Sequence, residues 1–293
     1  MVLVLQQRAA VAAGLRQQPA QRRPRFVVTA AAASRSLPGH SSMGTWARLQ
    51  LARRKLDLAV REENYAAAAQ AQREVALLTE RLPPSKALLN TLLQRLDAAT
   101  HAACALPEEE EAANAEKLAV LERLGELADW DGAAAMAAAL HDGDAAVAAA
   151  AEDALWALFM ECPTPELQTQ MRQGVSLMRR PEQWDQALAL FDSMVRAAPT
   201  FAEAYNKRGT VLYLMQRYHE AIADARVTLE MNPYHFACAS GMGLCCAAVG
   251  DNAGALAAYQ QAVAINPRMS ALRQHIMQLR ELLTEEQRQL DHE

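Results

Sequence analysis

The groups able to do chemistry in this chain are five cysteines, seven histidines and an acidic run, Glu108 to Glu111. A redox device needs paired thiols, and only Cys245 and Cys246 adjoin. Cys104, Cys162 and Cys238 are scattered, and no C-x-x-C occurs. An odd set of free thiols suits a reducing compartment, and small buried helix positions account for the vicinal pair. No histidine spacing matches a metal-ligand pattern, so no metal is predicted. The glutamate run reads as a solvated surface or a helix start, where negative charge meets the positive dipole end. His219 and His235 adjoin turns and read as surface residues, and Lys207 reads as a solvated cation. There is no glycine-rich phosphate loop, no H-E-x-x-H and no G-x-S-x-G. No catalytic residue and no cofactor are predicted. The remaining chemistry is recognition.

The elements that would carry recognition are helices. Of 293 residues 52% are apolar but only 5% aromatic, and alanine dominates. Alanine is the best helix former and lets helices approach closely. The expectation is therefore an all-α fold. A formal charge of −5 gives no global attraction to nucleic acid, so no direct nucleic-acid partner is predicted. Nothing approaches the apolar length of a transmembrane segment.

The C-terminal part repeats. Ala187, Ala221 and Ala255 are 34 residues apart, as are Pro199, Pro233 and Pro267, and Trp184, Tyr218 and Asn252. Each unit has a small residue where two helices would cross and a proline that stops the second helix. The clearest unit, 202–235, carries Tyr205, Arg208, Gly209, Leu212, Tyr218, Ala221, Ala225, Leu229 and Pro233. The third, 236–269, carries Gly243, Cys246, Ala255, Tyr259, Ala262 and Pro267, with Gly250-Asp251 as its turn. In the first, Gly174 precedes Gly209 by 35 residues, so one extra residue near Arg180-Pro181 lengthens the internal turn.

This pattern resembles the tetratricopeptide repeat (TPR), giving three repeats over 167–269 and an amphipathic capping helix over 270–290. The resemblance implies a superhelix whose first helices line a concave groove for a peptide or partner helix. Helical spacing then directs Met171, Val175 and Met178 inward from the first repeat. Glu203, Asn206, Thr210 and Tyr213 follow from the second, with Ser240 and Leu244 from the third. TPR co-chaperones that hold acidic tails carry a clamp of Lys, Arg and Asn. The matching places here hold Met171, Asn206, Ser240 and Gly241, so an acidic Hsp70 or Hsp90 tail is not expected. Arg208 is placed at the hairpin interface.

Ahead of the repeats, residues 49–82 include Glu63, Asn64, Tyr65, Ala68, Ala69, Glu74 and Val75. The order resembles a UVR motif, a helical docking hairpin, although Gln72-Arg73 stands where the motif has Arg-Asp. Two helices are expected to meet near Asn64 with Tyr65 covering the junction. Residues 85–162 read as a helical spacer, in which 116–160 is similar to a HEAT-type unit. Asp144 is expected to cap its last helix.

The first acidic residue is Asp57, preceded by nine arginines and one lysine. An Arg-rich, acid-free start reads as a transit peptide over 1–30, with 31–48 a disordered linker. Val28-Thr29-Ala30-Ala31 resembles a chloroplast processing site, and the chain resembles plant and algal chloroplast TPR proteins. The start reads as a chloroplast address, with a mitochondrial one as the alternative, and cleavage after Ala30 would remove Arg8, Arg16, Arg22, Arg23 and Arg25 and leave a more acidic remainder. The expected function is a non-enzymatic scaffold or adaptor for protein partners. The alternative is a regulatory subunit tied to nucleic-acid repair or to protease substrate delivery through the hairpin.

Overall fold

The computed structural model describes residues 44–292 except residue 105, and the side chains of 290–292 are outside the description. The transit peptide read at 1–30, and most of the linker after it, lie outside the described residues. Within them the chain is all-α, with thirteen α-helices and two short 3-10 turns and no strand. None of these helices is long and apolar enough to cross a membrane.

The chain divides into two compact units, with the division at Gln94 and Arg95. In the first, α1 (Thr45–Arg61) and α2 (Tyr65–Glu80) form a hairpin. Glu63 takes a left-handed conformation (φ 54°), and the Asn64 side chain accepts from the Ala67 N–H at 3.1 Å, which starts α2. Leu49, Ala52 and Leu78 form the buried seam, flanked by Trp46, Val75 and Leu82. Because Trp46 packs there, the helix begins at Thr45, and residues 45–48 are helical rather than linker. Tyr65 does not cover the junction: it is 80% exposed, and the seam is closed by Leu49, Ala52 and Leu78. Arg53 donates to Asn90 at 2.6 Å on α3 (Pro84–Thr100), and Lys86 lies over the Trp46 ring.

The second unit opens with α4 (Pro107–Leu127), whose first turn carries Glu108, Glu109 and Glu110 behind a proline. The acidic run is therefore a helix start. Arg95 donates to Glu116 at 2.6 Å and 3.0 Å. A 3-10 turn (Trp130–Gly132) leads to α5 (Ala133–Ala139) and α6 (Ala145–Phe159). Asp144 accepts from Ala146 and Val147, capping α6. Asp142 is half-buried. Burial opposes its charge, but hydrogen bonds from Lys117 and the Asp144 N–H hold its carboxyl below the ordinary range. Both α4 and α5 pack on α6.

Three hairpins follow: α7 (Pro165–Leu177) with α8 (Trp184–Ala197), α9 (Ala202–Leu214) with α10 (Tyr218–Met231), and α11 (Phe236–Ala248) with α12 (Asn252–Ile265). The last helix is α13 (Ala271–His292), on which Ile276 and Leu279 are buried. Each helix packs on the next, and α9 also touches α11, so the first helices of the second and third repeats are neighbours. Ala187, Ala221 and Ala255 are buried at the crossings. The internal turns of the second and third repeats use a left-handed residue at the same repeat position, Gln216 (φ 60°) and Gly250 (φ 77°). The first repeat replaces it with a 3-10 turn at Pro181–Gln183, which takes up the extra residue.

All five thiols are free, and only Cys104 is exposed. Burial pushes Cys245 up to about 12, and Cys246 beside it is raised too, so neither is a nucleophilic thiolate. Native iodoacetamide treatment should alkylate Cys104 alone, with the other four reacting only after denaturation. Fast native labelling at Cys245 or Cys246, read by mass spectrometry, would contradict this packing.

Candidate functional site

The predicted groove residues lie on α7, α9 and α11, but they do not form one open surface. Met171 is fully buried in the core that joins Leu167, Phe191 and Phe201. Val175 and Met178 pack partly against the same core. Glu203 and Ser240 are also closed to solvent. Half-buried positions remain at Asn206, Thr210, Tyr213 and Leu244. The Thr210 hydroxyl donates to the Asn206 carbonyl at 2.8 Å, the ordinary local bond of a helix threonine. The Tyr213 ring lies 5.8 Å from Tyr218, and burial raises its phenol. These four residues are neutral and lie on two adjacent helices.

Arg208 sits at the hairpin interface as the spacing suggested. It donates to Asp224 through Nε and Nη2 at 2.8 and 2.6 Å, and to Asp192 through Nη1 at 2.9 Å. That fork ties α8, α9 and α10 together.

The polar centre that the sequence reading missed surrounds Glu203. Its carboxylate accepts from Lys207 Nζ at 2.8 Å, and both of its oxygens accept from Asn206 Nδ2, at 3.1 and 3.2 Å. His235 Nε2 meets it at 2.8 Å. His235 Nδ1 accepts from the Cys238 N–H at 3.2 Å, which places the ring proton on Nε2, aimed at Glu203. His235 is therefore not a surface residue; it is fully buried and caps α11. Its ring stacks on Phe159 at 4.7 Å and meets the edge of Trp156 at 5.7 Å, both from α6. Trp156 also contacts Phe236, and Lys207 Nζ lies 5.9 Å from the Trp156 ring. Lys207 is thus held between a buried carboxylate and an aromatic face, not solvated. Further along α6, Glu152 accepts from Asn266 Nδ2 at 3.2 Å, and Arg268 donates to the Ala145 carbonyl. Helix α6 runs across the second and third repeats and closes the Glu203 end of the face. The one available sequence signal was Glu203 four residues before Lys207, a favourable helical pairing.

Burial opposes ionisation of Glu203, yet Lys207 and His235 outweigh it and hold the carboxyl near 2. Its folded value is below its unfolded one. The stabilisation is therefore complete above about pH 4.5 and is lost as pH falls toward 2. Between pH 5 and 3 the wild type should lose on the order of 2 kcal/mol more stability than Glu203→Gln does. Urea midpoints measure this, and parallel pH profiles for the two proteins would contradict it. Among the described residues, no three metal-ligating side chains converge.

No known family model matches the chain. A TPR repeat-containing protein of Rhizobium etli is 28% identical over 97 residues, covering 33% of this chain and 48% of that protein. The Hsp70-Hsp90 organizing protein of Triticum aestivum is 31% identical over 90 residues, covering 31% of this chain and 16% of that protein. The matches thus span less than half the length of either relative. Among solved structures, the Sgt2 TPR domain from Aspergillus fumigatus superposes with a TM-score of 0.40 at 21% identity, covering 43% of this chain and 85% of that one. The TPR2AB domain of yeast Sti1, in complex with pHSP90, gives 0.36 at 16% identity, covering 80% and 97%. The Rhizobium etli relative is named for TPR repeats, and the helical hairpins with their 34-residue step are similar to that repeat type.

Proposed function

We propose that this chain is a non-enzymatic protein–protein interaction scaffold that holds a neutral, largely apolar segment of a partner along α9 and α11. The observation that carries this is the row Asn206, Thr210, Tyr213 and Leu244, half-buried and uncharged on neighbouring first helices. An aromatic and a leucine flanked by short hydrogen-bonding groups suit an amphipathic helix or an extended apolar stretch. An acidic tail is disfavoured: Met171 and Ser240, at clamp positions, are buried, and the amide of Asn206 is engaged by Glu203.

The helical hairpin offers a second contact surface. Leu58, Val60 and Tyr65 are all exposed near its turn, and among the described residues no large hydrophobic side chain is more exposed than Tyr65. The chloroplast assignment rests on the Arg-rich, acid-free start of the sequence. A diffuse cytosolic signal from a fluorescent fusion of residues 1–60 would overturn it.

Replacing Tyr213 and Leu244 together by alanine should reduce partner recovery from organelle extract at least tenfold. The helical circular-dichroism spectrum should persist. Undiminished recovery by the folded double variant would remove the face assignment.

A further inference from the structure

Helix α6 meets the repeats through one stripe. Glu152, Trp156 and Phe159 stand at i, i+4 and i+7, so one side of the helix carries all three. Glu152 accepts from Asn266 Nδ2 at 3.2 Å and pairs with Arg268 at 3.8 Å. The Trp156 ring meets His235 and Phe236 edge-on, each at 5.7 Å, with Lys207 Nζ over its face. Phe159 stacks on His235 at 4.7 Å and lies 6.3 Å from Phe236. None of these residues belongs to the Asn206–Leu244 row.

The other side of α6 belongs to a different core. Val147, Ala151, Ala154 and Leu158 are buried there, and a methyl group at Gly125 of α4 would come 3.1 Å from the Ala154 Cα. Residues 107–159 thus have packing of their own, and five residues, 160–164, join them to α7. The contact with the repeats has the anatomy of an interface rather than of an interior. Its centre is aromatic, Trp156 is only half-buried, and the Glu152 end is polar and pairs with a cation. An amphipathic helix held on a partner by anchors one turn apart is a recurring mode of recognition. We propose that α6 is a tethered ligand of the repeats. The surface of Lys207, His235, Phe236, Asn266 and Arg268 is then a helix-binding site that the chain closes with its own α6. It opens to a partner helix that carries an acid, an indole and a benzyl ring at the same spacing. The short tether gives α6 a high effective concentration, so the site is closed at rest and only a helix with the full stripe competes. Cys162, buried in the core of the first repeat, anchors the tether. The helix pivots there, and its Glu152 end lifts from Asn266 and Arg268.

The test is binding of a fluorescein-labelled, acetylated and amidated peptide of residues 144–160 to the full chain, followed by anisotropy. Trp156→Ala in the chain loosens the tethered helix and leaves the repeat surface intact. Its affinity for the peptide should exceed that of wild type by about tenfold or more. The same peptide carrying Trp156→Ala should bind neither protein. That control separates docking on the repeats from insertion against α4, which does not use the indole. Should Trp156→Ala fail to fold in the chain, Glu152→Ala, at a half-buried position, frees the Asn266 end alone and should raise peptide affinity about threefold. Equal affinity of wild type and the folded variants, no binding to a folded variant, or retained binding by the peptide without the indole would each overturn the proposal.

Discussion

His235→Ala should cost about 3–5 kcal/mol, the largest loss from any single side chain outside the apolar core. Three terms act together. The α11 N-terminus loses the acceptor of the Cys238 N–H, Glu203 loses a donor while remaining buried, and the space between Phe159 and Trp156 empties. Urea unfolding followed by circular dichroism measures the loss. His235→Ala in a Glu203→Gln background should cost clearly less, because the two side chains share one interaction. A single-variant loss below about 1 kcal/mol would mean that α6 is not anchored to the repeats through this ring.

Two glycines on one helix should respond with opposite signs. A methyl group at Gly243 would lie 2.5 Å from the buried Tyr259 ring, while one at Gly241 meets nothing within 4 Å. Both are interior to α11. Gly241→Ala should therefore stabilise by up to about 1 kcal/mol, the ordinary helical advantage of alanine. Gly243→Val should destabilise by about 3 kcal/mol, since the ring has nowhere to move. Equal and favourable shifts at both positions would show that the crossing of α11 and α12 is looser than described.

The same contrast explains why the repeats were legible in the sequence. Ala187, Ala221 and Ala255 are small because backbones meet there, and a steric constraint repeated at 34 residues leaves a visible trace. Arg208 could be assigned to the interface, and the extra residue near Pro181 to a turn, on the same grounds. The hairpin turn near Asn64 and the Asp144 cap were legible too, because turns and caps are local chemistry.

Helix α6 was not legible as a partner of the repeats. Its contacts with the repeats join residues about 50 or more positions apart, as Trp156 and Lys207 or Phe159 and His235 do, and nothing periodic marks them. That single placement changed three expectations. His235 left the surface, Lys207 gained a buried carboxylate, and Glu203 changed from a groove residue to an internal charge. Met171 was misplaced for a different reason. Spacing orients a side chain only relative to its own helix, and the first repeat has the packing of Cys162 and Phe201 around it. Tyr65 shows the converse: a large aromatic at a hairpin turn reads as a lid, yet the seam is closed by Leu49, Ala52 and Leu78 and the ring stays in solvent.

Site-specific photocrosslinking in organelle extract tests the binding face most directly, with the reactive residue at Tyr213 on α9 or at exposed Arg226 on α10. The account predicts a discrete protein adduct from position 213 that is absent from position 226. The same adduct from both positions, or one from position 226 alone, would contradict it.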